Sequence, residues 1–131
     1  MNFYSKVIDI SLDEFGCTLT FSEEEHEYEN ERRPINELMN AIGKYILLQR
    51  TFPEDDFEDN CYTFEPADFD KACELKDFII DLYPTAFELT INGDFYQVQF
   101  REDDKKFEQI KSAVELITNG RGILNIHRMS K

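Results

Sequence analysis

Phe87-Glu88-Leu89-Thr90-Ile91-Asn92-Gly93-Asp94-Phe95-Tyr96-Gln97-Val98 is the stretch whose reading decides the fold. Asn92-Gly93 between two alternating runs demands a two-residue type I′ turn, because both turn positions need positive φ. Paired outward from that turn, Leu89 faces Tyr96 and Phe87 faces Val98 on one side, while Glu88 faces Gln97 and Thr90 faces Phe95 on the other. One side is apolar and the other mostly polar, as in an antiparallel sheet covered on a single face.

The start of the chain repeats the pattern. Ile8, Ile10 and Leu12 alternate with Asp9 and Ser11, and Cys17, Leu19 and Phe21 alternate with Thr18 and Thr20. With Asp13-Glu14-Phe15-Gly16 as a four-residue loop, Leu12 meets Cys17, Ile10 meets Leu19 and Ile8 meets Phe21, all six on one face.

Between and after the hairpins the spacing predicts helices. Ile35, Leu38, Met39, Ile42, Tyr45 and Ile46 follow i, i+3, i+4, i+7, with Pro34 in the first turn and Thr51-Phe52-Pro53 as the end. A short strand is expected around Cys61 to Glu65. A second helix is expected from Pro66 to Pro84, with Asp68 and Asp70 in its first turn and Phe69, Ala72, Cys73, Ile79, Ile80 and Tyr83 inward. A third, capped by Asp103 or Asp104 and closed by left-handed Gly120, turns Phe107, Ile110, Val114 and Ile117 inward. A strand from Ile123 to His127 completes the order ββαβαββαβ. The expectation is a single α+β domain over residues 1–131, a mixed, mostly antiparallel sheet with three helices packed mainly on one face.

The chain has 131 residues, which suits one domain, and 41% of them are hydrophobic, including 12 Phe and 6 Tyr, which suits a packed core. Met1 to Leu12 lacks the basic start and apolar run of a secretory signal, and the longest uninterrupted apolar run is Tyr45 to Leu48, against the ~20 residues of a membrane helix. Cys17, Cys61 and Cys73 are too few and too far apart for a disulfide framework or a zinc motif. These readings point to a cytoplasmic protein with reduced, buried thiols and no membrane association.

The net charge of −14 is concentrated in the first half: residues 1–70 hold 18 Asp and Glu against 5 Lys and Arg. Two acidic surface segments, 23–31 and 54–60, carry most of it. In the first, Ser22 and Glu25 fit a capping box and Glu29 can pair with Arg33. Glu23/Glu27, Glu25/Glu29 and Glu27/Glu31, however, are like-charge i,i+4 pairs that oppose a stable free helix. In the second, oxygen ligands abound, but the alternating positions and central Gly of an EF-hand are missing, so no metal or cofactor is expected. The segments read as docking surface: Glu24, Glu25, Glu27 and Glu29 around Tyr28, and Asp55, Asp56, Glu58 and Asp59 around Phe57. Acid steers a basic protein inward and the aromatics anchor it.

A charge of this sign disfavours nucleic acid. No P-loop, dinucleotide fingerprint or nucleophile elbow occurs, and no sequence feature ties His26 or His127 to a nucleophile. The expected function is therefore a non-enzymatic protein-binding module whose acidic N-terminal half docks a basic partner, in the manner of toxin-immunity proteins and inhibitors of nucleases. That analogy is one of charge and size, without a shared motif. Two alternatives stand beside it. One is an accessory homo-oligomeric domain whose acidity serves solubility and whose contact uses a sheet edge, Phe57 or Phe95. The other is a small enzyme or ligand-binding domain with a pocket between helices and sheet.

Overall fold

The computed structural model describes residues 1–23, 44–53, 60–67 and 69–127. Ten strands and one α-helix are built from them: β1 (Asn2–Tyr4), β2 (Val7–Asp13), β3 (Gly16–Ser22), β4 (Tyr45–Thr51), β5 (Cys61–Pro66), β6 (Cys73–Glu74), β7 (Ile79–Tyr83), β8 (Ala86–Ile91), β9 (Asp94–Gln99), α1 (Asp104–Thr118) and β10 (Ile123–Ile126), with a 3₁₀ turn at Phe69–Lys71. Two five-stranded sheets result. Sheet 1 has the order β1-β9-β8-β7-β10, and sheet 2 is the meander β2-β3-β4-β5-β6. In sheet 1 the antiparallel centre β7-β8-β9 gains a parallel strand on each side, β1 beside β9 and β10 beside β7.

Both hairpins hold the register that their sequences dictate. Leu12 pairs with Cys17, Ile10 with Leu19 and Ile8 with Phe21, and the pair Asp13–Gly16 tightens the turn to Glu14 and Phe15. The Asp13 carboxylate accepts from the N–H groups of Phe15 (2.8 Å) and Gly16 (3.2 Å), an Asx turn. A methyl at Gly16 would run into the Arg50 carbonyl of the neighbouring strand. In the other hairpin Leu89 pairs with Tyr96 and Phe87 with Val98 around Asn92 (φ 53°) and Gly93 (φ 81°).

The expected single sheet with three helices on one face is overturned, although the chain remains α+β in the broad sense. Tyr45 to Leu48, expected to end a helix, lie in β4, where buried Ile46 and Leu48 alternate with half-buried Tyr45 and Leu47. A short all-apolar run fits either period, and here β3 and β5 bond β4 on both edges. The rest of that expected helix, 35–43, is outside the described residues. The expected helix from Pro66 to Pro84 is instead the end of β5, the 3₁₀ turn, β6 and β7. Phe78, Ile80 and Leu82 are buried with the period of a strand, and Asp77 at φ 52° breaks any helical continuation. Pro84 stops no helix; with Thr85 it turns β7 into β8, Tyr83 pairing with Ala86.

The third expected helix is α1. Asp103 caps it by accepting from Lys106 N–H at 2.8 Å. Its left-handed exit begins one residue before Gly120, at Asn119 (φ 49°), with Gly120 following at 79°.

The inner faces of the sheets meet through aromatic rings. Phe21 of β3 lies 4.9 Å from Phe87 and 5.8 Å from Phe100, and Phe64 packs edge-on against Tyr96 at 4.9 Å. Ser5, only 3% exposed, holds the corner where the chain crosses between sheets: its N–H bonds Gln99 O (2.7 Å) and its Oγ accepts from Ser22 N–H (3.2 Å). Helix α1 packs on β2, β3 and β4 through Phe107, Ile110, Ala113, Val114 and Ile117. Arg50 donates to Leu116 O (2.9 Å) and Asn119 to the Tyr62 hydroxyl (2.9 Å), fastening its last turn to sheet 2.

Phe21→Ala therefore lowers unfolding free energy in urea by about 3–5 kcal/mol. Phe15→Ala, at a hairpin tip where Phe15 is 63% exposed, changes it by less than about 0.5 kcal/mol.

Candidate interaction face

Because Ile80, Leu82, Phe87, Leu89, Tyr96 and Val98 point inward, the alternate residues of sheet 1 point outward. The registers arrange them in cross-strand rows. One is Asn2, Gln97, Glu88, Asp81 and Asn125; another is Phe95, Thr90, Ile79 and Ile123; a third is Tyr4, Gln99, Ala86 and Tyr83. No Lys or Arg occurs among these strand residues. Phe95 is 49% exposed, Ile123 54% and Tyr4 47%. The face combines acid, amide and aromatic groups.

Asp81 and Glu88 are directly opposed on neighbouring strands. Like charges in that position are destabilising. Their flanks are organised around them. Gln97 donates to Glu88 at 2.9 Å, Asn125 donates to Asp81 at 3.1 Å, and His127 Nε2 is 2.9 Å from the same Asp81 oxygen. The His127 ring stacks on Tyr83 with centroids 4.3 Å apart and planes within 9°. Burial first, then the Glu88 and Asp81 charges, push the Tyr83 phenol above its ordinary range. His127 beside Asp81 has the form of an acid–base pair, but among the described residues no Ser, Thr or Cys is bonded to the ring. Among the same residues no three His, Cys, Asp or Glu converge as metal ligands, and no helix is long and apolar enough to cross a membrane.

None of the residues expected to dock a partner is among the described ones. Glu24, Glu25, Glu27, Tyr28 and Glu29 fall in 24–43, and Asp55, Asp56, Phe57, Glu58 and Asp59 in 54–59, outside the described residues. Their attachment points are described. Glu23 N–H bonds Lys44 O (2.8 Å) at the start of β4, and Phe52 N–H bonds Phe15 O (2.9 Å) just beyond its end. The seven residues of β4 span about 20 Å, so the two segments join opposite ends of sheet 2.

Glu88, Gln97 and Phe95 were legible as an outward set from the second hairpin alone. Asp81 and Tyr83 were hidden inside an expected helix. The partnership of His127 with Asp81 required the parallel pairing of β10 with β7, for which no local signal exists. Comparison with known protein families, curated proteins and solved structures gives no match.

The thiols depart from the expectation of three buried groups: Cys17 is buried, Cys73 half-buried with its sulfur accepting from Asn92 at 3.3 Å, and Cys61 exposed. Burial raises the Cys17 thiol, partly opposed by Arg50, and burial likewise raises Cys73. In the native protein Cys61 reacts first with a thiol reagent, Cys73 slowly, and Cys17 only on denaturation. A raised folded pKa leaves stability intact below the ordinary thiol value and lowers it as pH rises past that value. Urea midpoints from neutral to alkaline pH therefore fall, less so in Cys17→Ala.

Proposed function

We propose that this chain is a non-enzymatic protein-binding module that docks a basic partner protein. The observation that carries the reading is the Asp81–Glu88 pair, opposed across two strands on an open face whose strand residues include no Lys or Arg. A like-charge contact kept at a cost in stability, on the same face as Tyr4, Tyr83 and Phe95, suits a surface completed by cations from elsewhere. The acidic segments 23–31 and 54–60, which join the chain beyond opposite ends of β4, add long-range attraction. Aromatics supply the burial that fixes register once charge has accelerated encounter.

The immobilised chain is expected to retain basic proteins at low salt and release them between about 0.05 and 0.3 M NaCl. With the retained partner purified, Glu88→Gln is expected to raise the unfolding free energy of the free chain by about 0.2–1 kcal/mol while weakening the complex. The combined Gln variant of Glu24, Glu25, Glu27 and Glu29 is expected to slow association without lowering stability. Retention unaffected by salt and by both variants overturns the reading.

The row formed by Ile79, Phe95 and Ile123 favours a second reading, a homo-oligomer joined through sheet 1, since these apolar groups are 40–54% exposed beside edge strand β10. Light scattering would then give a mass above one chain, insensitive to salt and reduced to one chain by Phe95→Ser with Ile123→Ser.

A further inference from the structure

An open groove of about 760 Å³ runs between the first hairpin and α1. It exists because burial along the inner face of β2 tapers toward the turn, from buried Ile8 through half-buried Ile10 to Leu12, which is 63% exposed. Ile10, Leu12 and Cys17 form one wall; Ala113 and Leu116, with the polar groups of Glu108, Gln109 and Ser112, form the other. The volume lies within the range of small-molecule sites.

Its two ends differ in chemistry. Lys105 and Lys106 stand at the N-terminal end of the helix wall. The other lysine of α1, Lys111, is engaged by Glu108 (4.0 Å) and Glu115 (3.5 Å), and Asp103 is engaged in capping the helix. Lys105 and Lys106 make no ion pair with a described residue. The eleven residue steps from Lys105 to Leu116 rise about 16 Å along the helix, the length of an acyl chain of about 10–12 carbons. A cationic amphiphile would meet the lysines, a bare anion would leave the apolar walls in water, and a neutral chain would leave both cations unpaired.

We propose that this groove binds a medium-chain fatty carboxylate, its head on Lys105 and Lys106 and its chain along Leu12, Ala113 and Leu116. The site is on a different wall from the acidic face of sheet 1 and has the opposite sign, so it stands or falls independently of the partner-docking reading.

The test is titration calorimetry of the full chain with sodium decanoate and decyltrimethylammonium below their micelle-forming concentrations and decanol below its solubility limit. Decanoate is expected to saturate one site and bind about tenfold tighter than decanol, with the ammonium weakest. Lys105→Gln with Lys106→Gln, both lining the groove and neither part of the buried face of the helix, should bring decanoate to the level of decanol. Ser112→Trp, an exposed position on the groove wall, should abolish binding of both with circular dichroism and Tm unchanged. The proposal is overturned if nothing saturates, if decanoate binds no tighter than decanol, or if the double lysine variant leaves decanoate unaffected.

Discussion

Phe21 is fully buried where β3 meets sheet 1, with Phe87 and Phe100 as its ring partners. The rest of the structure depends on that contact, because each sheet has one apolar face that cannot be left in water. Sheet 1 covers part of the inner face of sheet 2, and α1 covers β2, β3 and β4 beside it. The helix is thereby committed to sheet 2. The outer face of sheet 1 receives no cover from it, and Asp81 and Glu88 remain in high dielectric, where their opposition costs a fraction of a kcal/mol and not the several it would cost in the core.

The same frame separates surfaces of opposite character. Outward from sheet 1 lie paired carboxylates and aromatic rings; between the first hairpin and α1 lies an apolar groove with cations at one end. Their spacing is held by a few polar ties. Arg50 reaches from the inner face of β4 to the last turn of α1, its guanidinium also over Phe52 at 5.0 Å. Ser5 fixes the crossing from β1 into β2 by bonds to both sheets. Each tie joins distant parts of the chain through a satisfied buried or half-buried polar group, which gives direction to packing that apolar contacts leave unspecified.

The parts legible in the sequence share one property: their determinants are local. Asn92-Gly93 sets a turn and hence the pairing of Glu88 with Gln97, and Asp103 with Asn119 bounds α1 within a single stretch of chain. The misread parts were locally ambiguous. Tyr45-Ile46-Leu47-Leu48 suits helix or strand, and hydrogen bonds from β3 and β5 decide for strand. Residues 78–83 carry both a helical stripe and an alternation, and pairing of Ile80 with Leu89 and Leu82 with Phe87 selects the alternation. The helical stripe over that stretch concealed Asp81 and Tyr83 of the candidate site.

By itself the sequence determined two hairpins in register, the limits of one helix, the outward placement of Glu88 and Phe95, and a strongly acidic charge balance, since each follows from residues near one another along the chain or from composition. Only the tertiary structure decided that the two hairpins belong to different sheets, that β10 lies parallel to β7 and brings His127 to Asp81, and which apolar face α1 covers. The reason is that burial of apolar surface is strong but without direction, so its assignment among competing faces is a property of the whole chain.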